Sequence, residues 1–422
     1  MAQHTKNALV LECGRFLWYG HGIMRAGDKK NFFSFLSARS AEIISEESLR
    51  RKLGAGRRMR VKLGIDPTTP HLHLGHVVPL RILRAFQDAG HHAVLIVGDF
   101  TGQIGDPSEK TATRRQLGAK ETRANERTYR AQAARVLDMR RVEVRHNSEW
   151  FARMNVGSFL SLLANFSLKS AWGREDFQRR IRAGKEVRLH EAVYHVLQSY
   201  DSVMVRADVE LGSLDQKLNI LAGRELQKKL DRGHPPQDVV LLPYLIGLDG
   251  AQKMSKTAEN TIDLDDSANE MFGKVMSIPD SLITHYARFA AWLPEKRIGA
   301  LRADFKKGVN PRDLKLDLAE AVTVLYHGRR TGERARKDFL KLFSQRVVPP
   351  SVPTIRLAPR PYRPLELLAA LKVAASTSEA RRLLAGKAVE VDGRVLTPAD
   401  RRIPLRRGSV IRIGKRRFFR VR

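Results

Sequence analysis

The chain has almost no cysteine: Cys13 is the single one in 422 residues. That excludes an intramolecular disulfide framework and suits a reducing cytoplasm. Long apolar runs are missing too. The longest, Val239–Ile246, is interrupted by Pro243 and is far shorter than the ~20 residues of a membrane-spanning helix. Acid is scarce relative to base, with 45 Asp and Glu against 76 Lys and Arg and a formal charge of +31. An ordinary metabolic enzyme does not carry that imbalance. It calls for a polyanionic partner, nucleic acid first and an anionic membrane surface second. What is present, 42% hydrophobic and 29% charged residues, is the make-up of a globular protein with length for two or three domains.

Two short stretches carry the chemistry. In Pro67–His76, PTTPHLHLGH, a strand-like run (Arg60–Ile65) stops at Asp66-Pro67 and a helix-like run with Val77, Val78, Leu80, Ile82, Leu83 and Phe86 begins. His73 and His76 therefore stand at a strand-to-helix junction, with Gly75 removing bulk between them. A helix N-terminus offers unpaired N–H groups and partial positive charge to a phosphate, and imidazoles placed there can donate to the same oxygens. An HxxH by itself is more often an incidental pair. His71 adds a third imidazole, but three so close together with no cysteine nearby is a poor zinc spacing, and no metal site is assigned. Far downstream, Lys253–Thr257, KMSKT, sets two flexible lysines around Ser255, a loop suited to a polyphosphate.

Both stretches fall on an alternating α/β pattern. Residues 1–32 are read as an N-terminal extension without regular structure, Met24 being an alternative start and a transit peptide a minority reading. Phe32–Leu53 has roughly helical spacing and is expected as a lead-in helix. Strands are expected at Arg60–Ile65, Ala93–Val97, Val142–Val144, Val209–Leu211 and Val239–Leu242, separated by helices. This is the signature of a Rossmann-like, doubly wound parallel sheet over residues 33–261, with ligands beyond the carboxyl ends of its strands. Lys110–Arg141 is a polar helical segment. Residues 262–345 turn helical and basic, and 346–362 form a proline-rich linker. Residues 363–422 form a small α+β unit with a helix near Ser378–Leu384 and strands near Ala388–Val391 and Ser409–Ile413. Residues 401–422 hold ten Lys or Arg and no acid, interleaved with Ile, Val and Phe, which fits a folded basic face contacting phosphates.

Taken together on one α/β chain, HLGH and KMSKT resemble the two signature motifs of class I aminoacyl-tRNA synthetases. Tyr194, Gln198 and Asp201, spaced four and three apart on one helix face, narrow the resemblance to the bacterial tyrosyl enzymes, whose helix YxxxQxxD grips the amino acid. The C-terminal unit resembles the S-four-type RNA-binding domain that closes many of them. The resemblance implies a cytoplasmic, homodimeric enzyme that joins L-tyrosine to ATP and then to tRNA(Tyr), with Mg²⁺ accompanying ATP. It implies that Tyr194 and Gln198 bind the α-ammonium and Asp201 the phenol. Gly64, Asp66, Thr101, Asp106 and Asn147 are the other tyrosine contacts. His73, His76, Thr68, Lys253 and Lys256 are the catalytic set. Gly75, Gly212, Asp215, Gln216, Met254, Ser255 and Lys256 bind ATP, and Ser378, Arg381, Arg382 and Lys387 bind RNA.

Four residues at three sites depart from the family. Gly212–Gln216 reads GSLDQ where GGTDQ or GGSDQ is usual, so Ser213 and Leu214 add bulk near the nucleotide. Lys62 stands where many members have a phenol-contacting tyrosine, although one bacterial subgroup carries lysine. Thr257 replaces serine. A rival reading is an RNA-binding paralogue whose nucleotide site has decayed; GSLDQ favours it, while HLGH, YxxxQxxD and KMSKT oppose it.

Overall fold

The computed structural model describes residues 29–422 except 69, 109–117, 169–173, 232, 345–353, 359, 372, 375, 387, 398–399, 401 and 415–416. Most of the expected N-terminal extension, half of the expected linker and Lys387 thus lie outside the described residues. The chain divides into two compact units, residues 1–335 and 336–422.

The first unit runs through α1 (Lys29–Arg39), β1 (Glu42–Ile44), α2 (Glu46–Gly54), β2 (Arg60–Ile65), α3 (Leu74–Asp88), β3 (His92–Val97) and α4 (Thr101–Ile104). It continues with α5 (Ala119–Ala133), β4 (Val142–His146), α6 (Ser148–Phe151), α7 (Val156–Leu163), α8 (Glu175–Arg182), α9 (Leu189–Met204), β5 (Val209–Ser213), α10 (Lys217–Leu230) and β6 (Asp238–Leu242). The sheet order is β1-β6-β5-β2-β3-β4. Strands β2 to β6 are parallel, and β1 is an antiparallel edge on β6. Strands β3 and β6 are almost wholly buried, as expected for a parallel sheet covered on both faces, whose strands read as continuous apolar runs. The chain leaves β2 toward β3 and β4, then returns to place β5 on the other side of β2. That reversal opens a crevice at the carboxyl ends of β2 and β5.

Phe32–Leu53 is not a single helix but α1, β1 and α2. Ile43 and Ile44 pair with Val240 and Val239, and Ser45, at φ 66°, takes the left-handed conformation that turns the chain into α2. Two adjacent isoleucines fit a helical period as well as an edge strand, so spacing alone did not separate the two. The polar segment after residue 118 forms α5, which buries Tyr129 and Ala133.

Beyond β6 come α11 (Ala268–Met276), α12 (Ile283–Phe289), α13 (Glu295–Lys306), α14 (Pro311–His327) and α15 (Arg329–Ser344), in keeping with the helical pattern. Met271, Phe272, Tyr286, Leu318 and Val322 are buried there, and Arg39 of α1 donates to Leu293 O at 2.7 Å.

The second unit contains β7 (Thr354–Ile355), β8 (Pro361–Tyr362), α16 (Pro364–Ala370), α17 (Thr377–Ala385), β9 (Val389–Val391), β10 (Arg394–Val395), β11 (Ile403–Pro404), β12 (Val410–Ile413) and β13 (Arg417–Val421). Its main sheet has the order β10-β9-β12-β13-β7, and β11 pairs with β8. The described part of the proline-rich stretch is therefore not a free linker: β7 and β8 join these sheets, and Tyr362 lies in the core with Leu367, Leu384, Val389 and Ile411. Proline tolerates edge strands, which is why composition alone misled.

Candidate active site

The crevice between β2 and β5 holds a cleft of about 280 Å³. Each wall is built by a strand end. After β2, Asp66-Pro67 forces the chain out of the sheet; Thr68 N bonds back to Asp66 O at 2.7 Å, and both side chains line the cleft. Gly98, which no sequence signal singled out, follows β3 directly. A Cβ there would collide with Asp66 and Thr101, so glycine permits the contact in which Thr101 Oγ1 donates to Asp66 Oδ1 at 2.8 Å. Tyr194 donates its hydroxyl to Asp66 Oδ2, also at 2.8 Å, and burial together with the carboxylates of Asp66 and Asp106 keeps that phenol protonated well above its usual range.

Helix α9 presents Tyr194, Gln198 and Asp201 to the cleft, as their spacing requires. Asp201 accepts from Trp150 Nε1 at 2.9 Å and from Asn147 Nδ2 at 3.4 Å. Burial raises its pKa to about 7 against the opposing pull of Lys62, Trp150 and Asn147. Asn147 is fully buried and does not line the cleft. It stands behind the lining, donating also to Thr101 Oγ1 at 2.9 Å, so Asp66, Thr101, Asn147, Asp201 and Trp150 form one connected set. The Trp150 contact was not expected; its indole is a buried donor with one proton, but the sequence does not say which acceptor it finds. Lys62 also does something different from a phenol-contacting tyrosine. Its ammonium turns away to Ser202 Oγ (2.7 Å), Gln198 O (3.1 Å) and Glu210 Oε1 (2.9 Å).

At the start of α3, the rings of His73 and His76 pack against each other with centroids 3.8 Å apart and planes tilted by 34°. Gly75 makes this possible, because a Cβ there would lie 2.9 Å from His73 Nδ1. His76 Nδ1 accepts from His73 N at 3.3 Å, which leaves the His76 proton on Nε2. Burial first, then nearby Lys256, lowers the His73 pKa to about 4. Burial, His73 and Lys256 hold His76 well below its usual value. Both rings are therefore neutral donors at physiological pH. His76 lines the cleft; His73 is packed behind it.

Across the cleft, Gly212 is the last residue but one of β5, where a Cβ would strike Ile220. Ser213 has φ −80° and ψ 166°, ordinary extended backbone, so replacing a glycine here introduces no strain. Its hydroxyl donates to Asp215 Oδ1, while Lys253 of the KMSKT loop reaches Asp215 Oδ2 at 3.2 Å. Met254 packs over Gly75. The loop is shaped by Asn260, another residue the motifs did not reveal: its side chain accepts from Ser255 N at 2.8 Å and donates to Asp249 Oδ2 at 2.6 Å. Gln216 Nε2 donates to Asp106 Oδ2 at 2.7 Å. In the second unit, Ser378, Arg381 and Arg382 are exposed on α17, opposite buried Ala380 and Leu384.

The switch-point crevice thus brings together His76 at a helix start, Lys253 of the downstream loop, and the buried carboxylate of Asp201 with its two donors. A family model for tRNA synthetases class I (W and Y) matches residues 55–344. A tyrosine–tRNA ligase of Moorella thermoacetica is 41% identical over 387 residues, covering 90% of this chain and 93% of its own. One of Symbiobacterium thermophilum is 44% identical over 387 residues, covering 90% and 94%. A C-terminally truncated mitochondrial tyrosyl-tRNA synthetase of Coccidioides posadasii shares the fold at TM-score 0.60 and 21% identity, over 78% of this chain and 96% of that one. A tyrosyl-tRNA synthetase of Archaeoglobus fulgidus, complexed with L-tyrosine, does so at TM-score 0.59 and 22% identity, over 72% and 99%. The chain belongs to the class I W and Y family, and within it to the tyrosine–tRNA ligases.

Proposed function

We propose that this chain activates L-tyrosine with ATP, releasing pyrophosphate, and transfers tyrosine to the 3′ end of tRNA(Tyr). The observation that carries the choice of amino acid is Asp201, a buried acceptor lining the cleft with neutral donors behind it. A substrate lacking the hydroxyl would strand that acceptor unpaired, which is costly in a buried site. Tyr194, Gln198, Asp66 and Asp106 supply acceptors for the α-ammonium.

In the first step a tyrosine carboxylate oxygen bonds to the α-phosphorus of ATP and the bond to the β-phosphate oxygen breaks, its electrons leaving on pyrophosphate. The carboxylate is ionised at neutral pH, so no general base is needed. Catalysis rests on positioning and on stabilising the leaving group. His76 Nε2–H, with His73 behind it, Thr68, Lys253 and Lys256 serve that end, and Asp215 accepts from the ribose. Mg²⁺ enters with ATP, held by its phosphates, as is usual for this ion; among the described residues no group of three or more His, Cys, Asp or Glu is placed to hold a metal. In the second step a terminal ribose hydroxyl of tRNA attacks the acyl carbon and AMP leaves. Ser378, Arg381 and Arg382 contact RNA phosphates. The enzyme works in the cytoplasm. No helix among the described residues is long and apolar enough to cross a membrane.

The active form is a homodimer. An apolar groove is lined by Phe100, Ile104, Phe151, Met154, Val156 and Phe159; Val156 is 75% exposed, and Leu160 and Leu189, next in sequence to lining residues Phe159 and His190, are exposed as well. Contiguous apolar surface of this kind marks an interface. Tyrosine-dependent exchange of pyrophosphate into ATP, without tRNA and with phenylalanine as control, tests the enzyme reading. Exchange with tyrosine alone is expected; no exchange from folded protein would overturn it.

A further inference from the structure

Arg174 and Asn219 do not line the cleft, yet both are buried against it, at 4% and 1% exposure. Arg174 immediately precedes α8. Its guanidinium donates to Asn219 Oδ1 at 2.9 Å, to Ser108 Oγ at 3.1 Å, and to both Asp176 oxygens at 3.1 and 3.0 Å. Asn219 lies in the first turn of α10, and its Nδ2 donates to Gln198 Oε1 at 3.0 Å and to Gln216 Oε1 at 3.2 Å. Gln216 Nε2 passes on to Asp106 Oδ2 at 2.7 Å.

The direction of every bond in this chain follows from its first member. A guanidinium has five donors and no acceptor. Asn219 must therefore face Arg174 with its oxygen, which turns its amide NH₂ toward the two glutamines. Each glutamine must then offer its oxygen to Asn219. For Gln216 the outcome is forced twice over, since Asp106 needs a donor and the opposite orientation would set two acceptors against each other. The second Nε2 proton of Gln216 remains a donor, and the second lone pair of Gln198 Oε1 remains an acceptor. An α-amino acid brings an ammonium that needs acceptors and, one carbon away, a carboxylate that needs donors.

We propose that Arg174 and Asn219 are positioning residues that fix the amide polarity of Gln198 and Gln216, so that the cleft presents an acceptor to the ammonium and a donor to the carboxylate of the amino acid. The proposal rests on the reading of the cleft as a tyrosine site. Neither residue touches substrate; each acts through the glutamines.

The test is Asn219→Asp. It preserves shape and gives Arg174 an acceptor, but places an acceptor where Nδ2 stood, so both glutamines must turn their NH₂ groups toward it and Gln216 then opposes Asp106 oxygen to oxygen. Binding of L-tyrosine is compared with binding of 4-methylphenol, which keeps the phenol and lacks both charged groups. Tyrosine affinity should fall tenfold or more while 4-methylphenol affinity stays within twofold of the parent. Equal losses for both ligands, or no loss for either, would overturn the proposal. In a second series Arg174→Lys, which keeps a cationic donor, should retain more tyrosine affinity than Arg174→Met; equal affinities would overturn it too. Wild-type protein that shows no tyrosine-dependent exchange would instead defeat the underlying site reading, an outcome visible before any variant is made.

Discussion

Lys62 and Glu210 form a buried ion pair beneath the amino-acid cleft, with Nζ 2.9 Å from Oε1 and side-chain exposures of 0% and 1%. Ser202 completes it, accepting from Lys62 at 2.7 Å and donating to Glu210 Oε2 at 2.8 Å. Removing one partner of such a pair leaves an uncompensated buried charge, at a cost of about 3–5 kcal/mol. Lys62→Met should therefore unfold at markedly lower urea concentration than the parent, and Lys62→Met with Glu210→Leu should recover most of the loss. Additive losses in the double variant would show that the pair is not coupled. The single variant also withdraws the charge that holds the Asp201 pKa down, so its tyrosine KM at neutral pH should rise.

The role proposed for Asp201 would make tyrosine recognition pH-dependent. Its pKa is raised to about 7, mainly by burial, so the ionised acceptor fills in between pH 6 and 8. The KM for tyrosine should fall across that range and level off above it, and Asp201→Asn should flatten the profile and erode discrimination against phenylalanine. The stability effect has the opposite sense. Because the folded pKa lies above the unfolded value, the contribution of this group is fully present below about pH 4 and lost as pH rises through about 7. Asp201→Asn should accordingly raise the melting temperature more at pH 8 than at pH 5. A pH-independent difference would refute the assignment.

Most of this site could be read from the chain because it sits where local chemistry is obligatory. Asp66-Pro67 ends a strand, Gly75 lets two imidazoles pack together, and Tyr194, Gln198 and Asp201 share a helix face by spacing alone. The five parallel strands were readable for a similar reason, as apolar runs buried on both faces. What escaped notice depends on long-range partners. Trp150 reaches Asp201 across 51 positions, Arg174 reaches Asn219 across 45, and Gly98 matters only because Asp66 folds back over it. Edge strands β1 and β7 escaped because two or three residues carry no period.

The two histidines should act as neutral donors. With the His73 pKa lowered to about 4 and His76 held lower than usual, both chiefly by burial, exchange should show no acid limb from imidazole between pH 6 and 8. His76→Asn should lower kcat on the order of 10²-fold with little change in tyrosine KM. In stability terms a depressed histidine pKa contributes above the unfolded value near 6.5 and is lost as pH falls through about 4, on the order of 3 kcal/mol for His73. Urea titrations of His73→Asn and the parent at pH 7 and pH 4 measure it: the parent should lose more stability than the variant.

In the proposed reaction Ser213 bears on the nucleotide side. Its hydroxyl holds one oxygen of Asp215 and Lys253 holds the other, so a ribose must compete for this carboxylate. Ser213→Gly should lower the KM for ATP severalfold and leave that for tyrosine unchanged. An increase in the ATP KM would mean that the hydroxyl orients Asp215 rather than occupying it.

The proposed homodimer is open to test at the apolar groove. Val156 and Leu160 protrude from α7, at 75% and 58% exposure, without contributing to the cleft described above. A charge here costs nothing in a solvated monomer but must be desolvated between two copies, where an unpaired buried ion is strongly unfavourable. Sedimentation of the parent should give a dimer, and Val156→Asp with Leu160→Glu should give a folded monomer with an unchanged thermal transition at low concentration. A parent that sediments as a monomer, or a doubly charged variant that still pairs, would move the interface away from this face.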